Sequence, residues 1–453
     1  MAGEDTSQLY TPEHHAGRLD ARLNTTNYIH PQETNLLNLH KAMEYNNLGQ
    51  PCLRTTSGAS QTANDAFGRL RVSNPFTFFE NFTLYNETGK FINDTATGGT
   101  VTVDTSAGLI NQAVTTSSGS RAYRETTKVF AYQPGKSLMI LESFVFAAAQ
   151  TNLRQRIGYF DVNNGVYLEL ENSTLSFVVR SKSTGVVIND KVSQSNWNVD
   201  PLNGNGVSTL TLDITKAQIF YTDMEWLGVG TVRCGFVING QFVVAHEFQH
   251  ANIITSTYMT TACLPIRTEI ENLGVTDNAS TMKIICATVV SEGGYSLVGR
   301  PLSIGHPIST SYNLAVKDTL YPVLSIRLKA TRNNAIVLPN DFSIGVSANA
   351  NFRFQLLQRA ITTGGSWLSA GTQSSVEYNL GATSITTAGN VIEQGYIMST
   401  NQSSAAPAMK EFPFVYQLER DTFNGTMFEF VIAIECSVAT TPCYCSVNWE
   451  EVT

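Results

Sequence analysis

From Asp65 to Thr453 the chain is written in short runs whose apolar and polar residues alternate, and the runs are separated by turn pairs. Lys136–Phe146, Leu175–Ser181, Ser208–Ile214, Thr231–Ile238 and Met282–Val290 read as strand-like runs, whose side chains would fall alternately on the two faces of a strand. Between them fall Pro134-Gly135, Asn164-Gly165, Asn203-Gly204 and Asn239-Gly240. Asn-Gly supplies the positive φ angles of a two-residue hairpin loop, so Asn239-Gly240 predicts a hairpin directly. Many short strands with close turns, and almost no helical period, predict an all-β antiparallel sandwich of jelly-roll or lectin-like type.

This pattern has two breaks. Residues 1–64 carry no sustained apolar period and are rich in Asn, Thr, His and Glu. One short helix, Thr34–Glu44, is predicted there from Leu36, Leu37, His40 and Met43 at helical spacing. The remainder reads as an extended arm that a neighbour would order. The second break is Gly299–Pro307, with two prolines in quick succession. Strand patterns resume at Val323–Leu328, Asn351–Leu357, Phe428–Glu435 and Tyr444–Trp449, while the Ser/Thr/Gly/Ala-rich stretch 361–409 reads as loops. The expected domains are therefore an arm at 1–64, a sandwich body at 65–300 and a smaller β domain at 301–453.

The net charge of −8, with no basic block, argues against nucleic acid as a partner. No apolar run approaches a membrane span, and no leader is read at the start, so a chain kept in a cytoplasm without membrane insertion is expected. Seven cysteines lie scattered, mostly in apolar runs such as that around Cys286, and read as small core residues rather than a disulfide framework.

His246-Glu-Phe-Gln-His250 has the spacing of a zinc peptidase motif, which needs both imidazoles one helical turn apart. Here it continues the second arm of the predicted hairpin. On a strand, residues four apart are separated by roughly 13 Å, so His246, Glu247 and His250 are read as structural, with no metal and no cofactor expected. Asp161-Val-Asn-Asn-Gly165 resembles the start of a calcium loop, but its twelfth position is Asn172, and a turn accounts for it. Glu142, Glu169, Glu171, Asp223 and Glu225 are the carboxylates a sandwich glycanase could use; chance same-face pairs explain them as well. Trp226 and Trp367 are candidate sugar-stacking residues, whereas Trp197, Trp449, Tyr132, Tyr159 and Tyr167 are as readily core. No catalytic residue is assigned.

Gly68-Arg-Leu-Arg-Val-Ser-Asn-Pro75, Phe220–Arg233 and Ala245-His-Glu-Phe-Gln-His-Ala-Asn252 resemble stretches in uncharacterised virion structural proteins of marine and cyanobacterial tailed phages and of some large algal viruses. The resemblance implies a virion component without known catalytic residues. Combined with the arm, it predicts a surface protein such as a head fibre, decoration or tail-fibre-like part, docked on capsid, neck or tail proteins. Homo-oligomers, such as trimers, suit such a part. Phe67, Gly68, Arg69, Arg71 and Pro75 would form the junction between anchor and body, with Gly68 allowing a bend. The alternative reading is a carbohydrate-binding adhesion module for a host surface glycan.

Overall fold

The computed structural model describes residues 43–45, 51–53, 74–84, 89–346, 348–399, 404–405 and 416–452. Among them there is no α-helix, and every strand pairing is antiparallel. Most of the arm, including Phe67, Gly68, Arg69 and Arg71, lies outside the described residues. So does most of the predicted helix, but its last positions, Met43 and Glu44, belong to a strand, Met43–Tyr45, paired with Pro51–Leu53. Pro75 is exposed, and the first strand of the body, Phe76–Phe82, begins directly after it.

Residues 74–292 build a sandwich of two sheets. One runs, from edge to edge, through Ile188–Ser193, Thr174–Ser181, Gly165–Glu171, Leu153–Phe160, Ile266–Asn272, Arg121–Thr126 and Phe91–Ala96. The facing sheet runs through Gln241–Phe248, Val232–Ile238, Gln218–Met224, Ser137–Val145, Ser280–Glu292, Leu109–Val114 and Thr100–Asp104. Phe76–Phe82 adds to this sheet alongside Ser280–Glu292. Inward residues of both sheets make one aromatic core, in which Trp197 stacks on Phe177 at 4.2 Å and Phe220 and Phe236 close round them. Burying each such ring contributes about 1.5–3 kcal/mol.

The Val232–Ile238 and Gln241–Phe248 strands are joined by Asn239 (φ 53°) and Gly240 (φ 75°), the positive-φ pair the sequence demands. Asp161–Gly165 is likewise a hairpin turn, in which the Asp161 carboxylate accepts the N–H groups of Asn163 and Asn164 at 2.7 Å each. Ser208–Ile214, by contrast, is not a strand. Leu210, Leu212 and Ile214 do pack on the core, but Thr209 sits at φ 59° and the segment folds back on itself, Leu212 N–H bonding Leu202 C=O. Alternation placed its side chains, but its backbone pairs only locally, through a single bridge between Asn203 and Thr211.

Cys286 also departs from expectation. A bulge after Ile284 shifts the register with Ser137–Val145 by one residue, and the buried phase moves from even positions (282, 284) to odd ones (287, 289, 291). The thiol of Cys286 is thereby exposed, whereas Cys234, Cys436, Cys443 and Cys445 are buried.

A second sandwich follows. Its smaller sheet centres on Thr441–Val452, flanked by Arg300–Gly305 and Ile336–Val346, and its larger sheet runs through Tyr321–Leu328, Glu429–Cys436 and Ala350–Thr363. The core between them includes Phe342, Phe352, Phe354, Phe430 and Trp449. The stretch read as loops contains a ten-residue strand, Asn390–Ser399, paired along Ala350–Thr363. It carries Tyr396 and Met398 outward, so its alternation is weak in a search for buried residues. The two sandwiches share a small apolar cluster of Val129, Ala131, Ile336 and Leu338.

Candidate functional site

The outer face of the seven-stranded sheet carries the largest concentration of chemistry among the described residues. Because side chains alternate, residues 154, 156, 167, 169, 171, 267, 269 and 271 and their neighbours 121, 123 and 125 all point away from the core. Register aligns them in rows. Glu171, Arg154, Glu271 and Arg121 form one; Glu169, Arg156, Glu269 and Tyr123 the next; Tyr167, Gly158, Arg267 and Glu125 the third. Opposite charges therefore face each other across nearly every strand pair. Gly158 leaves its slot empty for a physical reason: a Cβ there would stand 2.5 Å from the Val166 carbonyl oxygen.

The side chains close a continuous chain of ion pairs. Arg156 donates to Glu169 (2.7 Å) and Glu269 (3.0 Å); Arg267 donates to Glu269 and Glu125 (2.6 Å each). Tyr123 donates its hydroxyl to Glu271 at 2.6 Å, and Lys191 bridges Glu169 and Glu171 from the sheet edge. Arg156, Glu169, Glu269, Arg267 and Glu125 are all buried. What covers the Glu125 end is the second sandwich. Arg420, on the Arg420–Met427 hairpin, approaches Glu125 at 3.5 Å and donates to the Thr126 carbonyl, Thr422 donates to Glu125 at 2.8 Å, and the Phe423 ring lies over the Arg267 guanidinium.

Burial alone would raise the carboxyl pKa of Glu169 and Glu269, but Arg156 and Lys191 at the first, and Arg267 and Arg156 at the second, outweigh it and hold both below the usual glutamate value. Glycoside cleavage needs one carboxyl kept protonated as general acid, and neither of these two is. Two glutamates elsewhere are shifted upward, both chiefly by burial. Glu429 accepts from Thr362, and Glu142 points into the core of the first sandwich. Glu142 shares a 10 Å³ void with Arg124, yet neither of its oxygens has a hydrogen-bond partner, and the Arg124 guanidinium lies instead over the Phe91 ring. Of the remaining carboxylates, Asp223 is buried and accepts from Ser137, and Glu225 accepts the Thr231 N–H.

His246 and Glu247 lie within the strand Gln241–Phe248, so the helix a zinc-peptidase motif requires is not formed. His246 Nδ1 accepts the Asn198 N–H at 3.2 Å, and Glu247 pairs with Arg233 at 3.0 Å. His250, beyond the strand end, donates from Nδ1 to Gly230 C=O at 2.7 Å and stacks on Tyr258 at 4.0 Å. Burial pushes both imidazoles below the ordinary histidine value.

Trp226 and Trp367 are not brought into one site. Trp226, in the first sandwich, donates its indole N–H to Met259 C=O and meets Tyr132 edge to face. Trp367, in the second, is covered by the Arg327 guanidinium at 4.0 Å. Tyr132, Tyr159, Tyr167, Trp197 and Trp449 are buried. The charged ladder itself was missed in reading the sequence. Its signal was there, in charged residues at every second position of otherwise apolar strands (Arg154 and Arg156, Glu169 and Glu171, Arg267 to Glu271).

The sheets together define a tandem antiparallel β-sandwich protein. No family model and no curated protein matches the chain. Among solved structures, a protein of unknown function from Shewanella oneidensis MR-1 is similar over 60% of this chain and 100% of its own (10% identity, TM-score 0.33). The carbohydrate recognition domain of Emp47p (14% identity, TM-score 0.30) covers 48% of this chain and 97% of its own. Arcelin-5, a lectin-like defence protein from Phaseolus vulgaris (10% identity, TM-score 0.30), covers 48% and 99%. Likeness at these TM-scores carries no argument about function.

Proposed function

We propose that the chain is a structural protein on the surface of a tailed-phage virion, a head fibre, decoration or tail-fibre-like component attached through residues 1–64. The observation that supports this reading is the ion chain that starts at the exposed Lys191, is buried from Glu169 onward along the outer face of the first sandwich, and ends on Arg420 of the second. It joins two sandwiches through charges that only a fixed geometry satisfies, as suits a particle part that must hold its shape outside a cell. The ladder's carboxylates serve arginines rather than a reaction, and the sequence resemblance points the same way. Partners are then other virion proteins, and strand addition or an arm folded across a neighbour would supply the contact.

Deleting residues 1–64 is expected to leave a folded body with an unchanged melting temperature that no longer joins particles. Incorporation of the truncated chain at the full-length copy number would refute the anchor. A second reading, a glycan-binding adhesion module of the same particle, is supported by the half-buried Trp226 and Trp367 and by a cavity between the sandwiches.

A further inference from the structure

Four loops at one end of the first sandwich hold six aliphatic side chains out in solvent. Val162 lies between Leu153–Phe160 and Gly165–Glu171, and Val186 and Val187 lie between Thr174–Ser181 and Ile188–Ser193. Leu227 and Val229 lie between Gln218–Met224 and Val232–Ile238, and Ile253 between Gln241–Phe248 and Ile266–Asn272. Hydrogen bonds tie these loops to one another. Lys182 donates to Asn163 Oδ1 at 3.1 Å, and the Asn164 amide donates to Thr260 Oγ1 at 2.8 Å. The Tyr258 N–H donates to Gly228 C=O at 2.9 Å, and the Ile253 N–H to His250 C=O at 3.0 Å. The six side chains therefore belong to one end surface, and Val162, Val186 and Ile253 are 61%, 68% and 67% exposed. An exposed apolar cluster of this kind marks a docking place.

Leu227 supplies an independent observation. Its φ is 37°, in the left-handed region that glycine and asparagine enter easily and a large apolar side chain does not. The other leucine in that region, Leu202, is fully buried, and its place in the core accounts for it. Leu227 is 52% exposed, so packing within the chain does not account for it. Asparagine or glycine there would relieve the backbone and remove an apolar group from water at once. Such strain persists where its surroundings or a function demand it.

The charges beside the loops say what docks. Lys182 and Asp190 flank the same hairpin turn, both are exposed, and neither forms an ion pair among the described residues; Lys182 meets the neutral Asn163. Other charges nearby are engaged. Asp161 accepts from its own turn, Glu225 accepts the Thr231 N–H, and Arg180 donates to Asn189 and to the Tyr167 hydroxyl. An apolar surface with one free cation and one free anion beside it is complementary to itself about a two-fold axis, which brings each cation to the other copy's anion. We infer that this loop end is an interface between two copies of the chain. The aliphatic tips form its centre, and two Lys182–Asp190 ion pairs close its rim.

Sedimentation equilibrium of the full chain tests this. The wild type is expected to form a dimer with a dissociation constant in the micromolar range, as suits a small contact. Leu227→Asn should weaken the dimer by about tenfold for each of the two leucines lost. Its melting temperature, read on dilute monomer, should stay level or rise, because asparagine tolerates the left-handed backbone. Lys182→Asp should weaken the dimer too, and adding Asp190→Lys should restore it, since the pairs re-form with their signs exchanged. A chain that is monomeric or trimeric throughout, a dimer indifferent to Leu227→Asn, or a charge exchange that fails to restore what Lys182→Asp removed would overturn the interface. A lowered melting temperature in Leu227→Asn would do the same, since the leucine would then be serving the fold.

Discussion

Replacing Glu125 with glutamine is expected to destabilise the folded chain by about 3–5 kcal/mol, the usual consequence of breaking a buried ion pair from one side. Glu125 is 0% exposed and stands between Arg267 at 2.6 Å and Arg420 at 3.5 Å, with Thr422 donating at 2.8 Å. Glutamine keeps the shape but presents one carbonyl and an NH₂ group to two guanidinium ions. The buried stretch Arg156, Glu169, Glu269, Arg267, Glu125 and Arg420 then holds three positive charges against two negative ones. Adding Arg420→Met restores the balance and is expected to recover part of the loss, a coupling that a double-mutant cycle in urea would measure. Because the seam depends on this group, Glu125→Gln should also separate the unfolding of the two sandwiches into two transitions. A loss below about 1 kcal/mol, the range of exposed pairs, with one unchanged transition would mean that apolar contacts alone join them.

Glu142 is expected to produce a pH dependence of the opposite sign to that of the ion-paired ladder. Its folded pKa is raised by burial, so the stability tied to its protonated form is complete below the unfolded value of about 4.3 and is lost as pH rises toward the folded value. Glu169 and Glu269 have lowered folded pKa values; their stabilisation is complete above the unfolded value and is lost as pH falls through the folded one. Glu142→Gln removes only the first effect. Relative to the wild type, the variant should therefore gain stability from pH 5 toward neutrality at up to about 1.4 kcal/mol per pH unit, with no change in the acid limb. Unfolding curves at several pH values decide this, and parallel profiles for the two proteins would show that the carboxyl is solvated or paired.

These two groups also mark where the sequence was legible. The all-β architecture and the Asn239-Gly240 hairpin could be read from alternation and turn chemistry because both are local. Glu142 was read as a strand carboxylate, but nothing in Lys136–Phe146 says which face it occupies, and it is the inward one. Cys286 was misplaced because one bulged residue reverses the phase of everything after it. Ser208–Ile214 has the pattern of a strand but only a one-bridge partner, whereas Asn390–Ser399 has a full partner but a weak pattern. The seam could not be foreseen at all: Glu125 meets Arg420 almost 300 positions along the chain, |i−j| being 295, and no periodicity connects them.

The claim at the centre of this account is that the chain is built into a virus particle. Mass spectrometry of density-purified tailed-phage particles made in cells that express this chain, read together with a cryo-electron microscopy map, tests it most directly. The account predicts the chain at a fixed multiple of copies per particle, with a two-lobed density matching the tandem sandwiches outside the shell. Its absence from purified particles made in cells that express it abundantly would contradict that claim.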